Sequence, residues 1–309
     1  MINDNDAFNN DIWSNWLTHD RHGGDRQAEH FMRADTERFA DRVINGANIE
    51  AGMTLLDVGT GDGLVAFRAI DRVGPALNVI LTDISVPMLA HVQKLAARNG
   101  IADQCSFIRC SADELSSIVG NSVDAVVTRA VLSYVDNKSA SFSEFYRVLK
   151  PGGRVSICEP IMRDEAFGVY MLKKLVAADS LESKDRLLGL QCRIMAIQYP
   201  STLEEIGNNP TTNFTERDLI HLARGAGFTQ VHMELHIDSR RNFQRNWETF
   251  LNSSPHPLAP SVQKIINDNF SGEESKYFEE KFRPIVEAGS SIMTIRNAYL
   301  TATKPLTVF

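Results

Sequence analysis

The stretch Asp57-Val58-Gly59-Thr60-Gly61-Asp62-Gly63 decides the fold. It follows an apolar run from Met53 to Val58 and precedes a helical pattern from Leu64 to Val73, so it reads as the turn between a strand and its helix. Such a turn gathers backbone amides and the positive end of a helix dipole at the C-terminal edge of a parallel sheet, where ligands bind in open α/β folds. Glycines allow positive φ and let backbone approach a ligand with no Cβ in the way. Here they stand at relative positions one, three and five, and Leu64 holds position six, where a dinucleotide fingerprint wants another small residue. That spacing disfavours a pyrophosphate ligand.

Outward from the loop, strand-like and helix-like segments alternate. A run Val79–Thr82 leads to a helix pattern Val86–Asn99 closed by Gly100, and short runs follow at Ser106–Cys110, Asp124–Thr128 and Arg154–Cys158. Strands interleaved with helices of this length imply parallel βαβ units. Upstream, residues 11–22 suggest a short helix carrying Trp13, Trp16 and Leu17, the pair Gly23-Gly24 breaks it, and a longer helix runs from Asp25 to about Ala47. Downstream, residues 161–214 read as helix and loop without a strand. Thr215-Glu216-Arg217-Asp218 opens a helix over Leu219–Arg224, a strand covers Val231–Ile237, a second insertion spans about 240–290, and Ile292–Thr303 supplies a last strand. Arg240, Arg241 and Arg245 are read as a solvated helical face.

Composition bounds the function. With 43% hydrophobic and 23% charged residues the chain can bury a large core, and its net charge of −7 argues against a nucleic-acid partner. Cys105, Cys110, Cys158 and Cys192 show neither a CxxC pair nor zinc-ligand spacing with histidine, so neither a metal site nor a disulfide framework is expected. The start Met-Ile-Asn-Asp-Asn-Asp lacks the pattern of a signal peptide, and no apolar run approaches about 18 residues. A cytoplasmic protein with no membrane partner is expected.

The second strand ends in Asp83, 24 residues past Gly59, where a carboxylate can accept hydrogen bonds from two ribose hydroxyls. With that partner in place, Leu55–Gly63 resembles motif I of the class I S-adenosylmethionine (SAM)-dependent methyltransferases, and Thr82-Asp83 resembles motif II. Ser111-Ala112-Asp113 is similar to the segment that borders adenine in that family, Val123–Arg129 to its fourth strand, and Arg147-Val148-Leu149-Lys150-Pro151-Gly152-Gly153 to the turn before its fifth. The likeness covers about residues 53–160. It implies an α/β, Rossmann-like open sheet of seven strands, mostly parallel with an antiparallel last strand. N-terminal helices and helical insertions would cap the active site. The divisions are an N-terminal helical lid at 1–50, the SAM-binding core at 51–160, a helical cap at 161–214, and the end of the sheet with its insertion at 215–309. For the cofactor, the resemblance sets the methionyl end against Gly59, Thr60 and Gly61 with Asp57 orienting the loop. It puts the ribose on Asp83 and adenine against Ile84, Ala112 and Asp113.

The acceptor side is less constrained. Thr128-Arg129-Ala130-Val131-Leu132-Ser133-Tyr134 stands where enzymes of this superfamily that methylate nucleobase or glutamine amides carry an Asn/Asp-Pro-Pro-aromatic motif, and that motif is absent. A small-molecule acceptor is expected. Arg129 offers a two-pronged donor for a carboxylate or phosphate of the acceptor, or for the carboxylate of SAM; a salt bridge to a neighbouring loop is the structural alternative. Glu159, which could bind an ammonium group or act as base, and His22 are candidate catalytic residues with Arg129, a purely structural role being open for Glu159. The cluster His19-Asp20-Arg21-His22-Gly23-Gly24-Asp25 resembles a lid in small-molecule methyltransferases, or is a solvated turn. His19, Arg21, Tyr134, Tyr170, Tyr199, His236 and Trp247 are candidate pocket residues, His236 having a partly buried strand histidine as its ordinary reading. The expected acceptor is an amino acid such as methionine, methylated at sulfur, or an amine at nitrogen; O- or C-methylation of a natural product or isoprenoid and a non-catalytic SAM-binding protein are the alternatives. A homodimer is the default expectation.

Overall fold

A computed structural model of the chain describes residues 11–178, 185–242 and 244–306. The core alternates as the loop predicts: β1 (Thr54–Val58), α3 (Leu64–Val73), β2 (Asn78–Asp83), α4 (Val86–Arg98), β3 (Cys105–Arg109), β4 (Val123–Arg129), α5 (Lys138–Val148) and β5 (Leu149–Pro160). Before it stand a short helix α1 (Ile12–Asn15), a π-helical turn Trp16–Asp20 and the long helix α2 (Arg26–Ala47). The sheet closes with β6 (Thr229–Arg241) and β7 (Ile292–Thr303), and its order is β3-β2-β1-β4-β5-β7-β6. β1 to β5 are mutually parallel where they pair, and β7 runs antiparallel to both β5 and β6. This is the expected seven-stranded Rossmann-like sheet.

Local chemistry sets the boundaries. Ser85 caps α4 by accepting the Met88 amide, with Pro87 in its first turn, where a missing N–H costs nothing. Thr215 and Asp218 form a reciprocal capping box on α9 (Glu216–Gly225). The central strands β1, β4 and β5 are largely buried on both faces, as a parallel sheet under helices requires, while the edge strand β3 is not. One face packs Leu56, Val126 and Leu300 against Phe142, Phe145 and Leu219 of α5 and α9. The other packs Leu55, Val79 and Val127 against Val43, Ile44 and Val65 of α2 and α3.

Residues 161–214 contain α6 (Arg163–Ala177), α7 (Arg186–Gln198) and α8 (Leu203–Asn208) and, among the described residues, no strand. Between β6 and β7 lie α10 (Trp247–Asn252), α11 (Val262–Asn269) and α12 (Gly272–Glu287). The two insertions bury against each other: Leu190 and Ile194 of α7 share one cluster with Trp247, Leu251, Ile265 and Phe278. One expectation is corrected. β6 runs to Arg241, so Arg240 and Arg241 alternate on a strand rather than along a helix, and Arg240 pairs with Asp35 of α2. Pairing with β7 continues from Ile237↔Arg296 to Arg241↔Ile292, and this ladder overrides the local charge pattern.

Candidate active site

The C-terminal ends of β1, β2 and β4 open into a cavity of about 310 Å³. The glycine loop forms its floor, with Gly59, Gly61 and Gly63 all at positive φ. A Cβ on Gly63 would sit 2.6 Å from Val92 and 2.8 Å from Phe67, and one on Gly59 would sit 2.3 Å from the Val131 methyl. Gly59 thus lets the loop after β4 close directly on the loop after β1. Inside, Thr60 Oγ1 donates to Asp57 Oδ2 at 2.8 Å, and burial pushes the Asp57 carboxyl up to about 7 against that bond. Asp83 accepts the Gly61 amide at 3.0 Å and the Ser85 amide at 2.9 Å. Burial raises its pKa while these amides oppose the rise. Ile84, 44% exposed, and Ser111, Ala112 and Asp113 complete this side, with Ser111 donating to Asp113.

The N-terminal segment covers the cavity from above. Trp13, Trp16, Leu17 and Arg21 line it, and a Cβ on Gly61 would lie 3.2 Å from Leu17. The π-helical turn Trp16–Asp20 brings this set over the loop; turns of that kind recur at functional sites. Ser85 Oγ donates to Asp11 at 2.9 Å, pinning the segment to the start of α4. At its other end Trp16 Nε1 donates to the Ser254 carbonyl at 3.1 Å, the Ser254 amide to the Asp20 carbonyl at 2.8 Å, and Thr249 Oγ1 to Asp25 at 2.7 Å. The cover is therefore built from residues 11–25 together with the insertion after β6, from which Pro257 also reaches the wall.

Arg21 and Arg129 face the same space. The Arg21 guanidinium lies 5.5 Å from the Trp16 ring centre, and burial with the neighbouring charge of Arg129 brings it down to about 10, although Asp62 pulls the other way. Arg129 Nε is buried with no hydrogen-bond partner among the described residues. Tyr134 lines the cavity with its ring edge-on to Trp13 at 5.2 Å. Burial raises the Tyr134 hydroxyl far above its ordinary pKa, so it stays protonated.

Several candidates lie elsewhere. Glu159 has no exposed surface and accepts the amides of Val131, Leu132 and Ser133 at 2.9, 3.0 and 3.2 Å and the Ser133 hydroxyl at 3.1 Å. It holds the loop that carries Val131 and Tyr134, and with its oxygens occupied it does not face the cavity as a base. His22 is 6% exposed, is held toward the neutral form by burial, and does not line the cavity. His19 is exposed and pairs with Asp20. Trp247 is core, stacked on Phe250. His236 sits on the far edge of the sheet with Glu234 and Arg42. Tyr170 packs edge-on to Phe167 on α6, and Tyr199 edge-on to His256. None of these lines the cavity. Sequence reading missed Val131 and Pro257, whose place depends on contacts across the fold; two of the chain's three tryptophans in residues 13–16 were the visible signal for the cover.

Comparison with known proteins shows the family and the fold. A family model described as a methyltransferase domain matches residues 49–218. The ubiquinone/menaquinone biosynthesis C-methyltransferase of Brucella anthropi is 39% identical over 192 residues, covering 62% of this chain and 66% of the relative. Its counterpart in Hahella chejuensis is 31% identical over 149 residues, covering 46% of this chain and 59% of the relative. The chain thus spans about two thirds of the length of such relatives or less. Among solved structures, the YcgJ protein of Bacillus subtilis superposes with a TM-score of 0.55 at 15% identity, covering 87% of this chain and 98% of that one. Phosphoethanolamine N-methyltransferase 2 of Haemonchus contortus, solved with SAM, gives 0.51 at 17% identity, covering 99% and 60%. These two likenesses bear on the fold alone. The family model takes in more than half of the chain and the whole glycine-loop site, and the protein belongs to the methyltransferase-domain family, the class I SAM-dependent methyltransferases.

Proposed function

We propose that this protein transfers the methyl group of SAM to a small acceptor that presents an anionic oxygen to Arg21 and Arg129. The observation that carries the reading is the pair of guanidiniums in one partly closed cavity, one depressed by burial and by its neighbour, the other with a buried unpartnered Nε. Two like charges so placed are stabilised by an anion between them. The site also fits the donor. Gly59, Thr60 and Gly61 offer backbone to a methionyl group, Asp83 a carboxylate to ribose hydroxyls, and Ile84 with Asp113 a surface and a polar edge to adenine. When bound, SAM supplies an electrophilic methyl on a sulfonium, and its positive charge suits the carboxylates of Asp57, Asp62 and Asp83.

The protein's part is to position and polarise. Holding donor and acceptor in line is worth roughly 7–11 kcal/mol of the barrier. The arginine pair stabilises the deprotonated form of an acceptor hydroxyl and lowers its pKa, so that the hydroxyl proton passes to solvent water before attack on the methyl group and no carboxylate base is required for that loss. Trp13, Trp16 and Tyr134 give the cavity flat walls, which favours a phenolic or quinol ring, methylated at carbon or oxygen, over a free amino acid. The similarity to ubiquinone/menaquinone biosynthesis C-methyltransferases supports that choice. Following S-adenosylhomocysteine (SAH) release with hydroquinones, phenols, amino acids, simple amines and prenyl phosphates tests it. Turnover confined to acceptors with an ionisable oxygen supports the reading. Turnover of simple amines alone refutes it, and SAH binding with no turnover on any class favours a non-catalytic SAM-binding protein.

A further inference from the structure

β6 is the outer strand of the sheet, and among the described residues β7 is its only strand partner. Its Thr229–Arg241 span makes 13 residues, long for an edge, where natural proteins usually place a proline, a bulge or a short strand to prevent pairing. β6 has no proline, and its one irregularity lies at Thr229/His232, before the stretch from Met233 to Arg241. Along the stretch from Met233 to Ser239 the charges lie on the face that α2 covers, where Arg42 bonds Glu234 at 2.6 Å and Arg38 bonds Asp238 at 3.5 Å; on the other face the exposed Arg241 stands only at the end of the strand. On the other face Leu235 is 40% and Ile237 is 55% exposed.

The order of residues along this edge is complementary to itself. An antiparallel copy centred on Leu235 sets Leu235 against Leu235, Met233 against Ile237, Glu234 against His236 and His232 against Asp238, each cross-pair occurring twice. Centring on Glu234 or His236 sets like charges opposite each other; centring on Ile237 keeps opposite charges facing but sets Leu235 against Ser239 and Met233 against Arg241, and centring on Met233 runs the pairing into the irregularity at Thr229/His232. From this we propose that β6 is an interface for a second copy of this chain, joining two seven-stranded sheets through a two-fold axis at Leu235. Strand pairing alone is a small isologous interface, so the dimer forms with a concentration-dependent population. The cavity opens at the ends of β1, β2 and β4 and stays free in the pair.

Sedimentation equilibrium of the full chain from about 1 to 200 μM, a range that brackets a weak specific interface, tests this. The expected mass rises from 34.5 kDa toward twice that value. Ile237→Lys, at an exposed position, should raise the dissociation constant about tenfold or more, since it loses two cross-strand contacts by symmetry. His232→Asp should weaken the dimer by facing Asp238, and adding Asp238→His should restore it by exchanging the pair. Circular dichroism checks that each variant is folded. A wild-type monomer throughout the range overturns the proposal, as does a dimer indifferent to Ile237→Lys, and a charge exchange without rescue overturns the register centred on Leu235.

Discussion

Asp83 Oδ2 accepts the amide of Gly61 at 3.0 Å, so the carboxylate at the tip of β2 fixes the middle of the glycine loop after β1. Its other oxygen holds Ser85, which itself donates to Asp11 of the cover. Removing this carboxylate should disturb loop, α4 start and cover together. Asp83→Ala is expected to weaken SAH binding by about 1.5–3 kcal/mol, the scale for hydrogen bonds to a charged group; calorimetry showing unchanged affinity would refute the assignment.

Glu159 separates a structural from a chemical role. Glu159→Ala leaves the amides of Val131, Leu132 and Ser133 without their acceptor, at about 1–3 kcal/mol for each unmet buried group, while the Ser133 hydroxyl keeps the Pro160 carbonyl. An unfolding free energy lowered by roughly 3 kcal/mol or more, read from denaturant titration, is expected. Glu159→Gln keeps one acceptor oxygen and should retain turnover at low temperature; abolished turnover with unchanged stability would restore Glu159 as the base.

Asp57 carries a pH signature. Its folded pKa, about 7, lies above the ordinary value of 3.8, so between those values the folded state holds more protons than the unfolded one. The stability that this group contributes is fully present below pH 3.8 and is lost as pH rises toward 7. Asp57→Asn keeps an acceptor for Thr60 and removes the titration. Its stability relative to wild type should therefore climb between pH 4 and 7 and level off above, as thermal melts across that range will show. A constant difference across the range contradicts the account.

For Arg129→Ala the expected outcome is asymmetric. Removing one of two facing guanidiniums relieves repulsion on Arg21, so the melting temperature should hold or rise. Acceptor turnover should fall about a hundredfold, the loss of a charge-assisted contact. Wild-type kinetics would remove Arg129 from the acceptor site.

Much of this was legible in the chain itself. The sheet could be read because strand and helix periodicities are local and Gly59, Gly61 and Asp83 occupy the two adjacent strand ends that a shared ligand needs. The acceptor side was read less well. Glu159 looked like a base because a carboxylate at a strand end usually faces the crevice, and only the fold shows three amides of residues 131–133 converging on it. Trp247 and His236 looked like pocket residues for their chemistry, yet burial among α7 and α12 claims one and the outer edge of the sheet claims the other. Pro257 reaches the wall only because residues 249–254 dock on the cover.

The central claim is that the glycine-loop cavity is a SAM site. In isothermal titration with SAH, one site per chain with micromolar affinity, weakened in Asp83→Ala, and no heat with NAD are expected. Binding of NAD, or no binding of SAH to the folded wild-type protein, would contradict it.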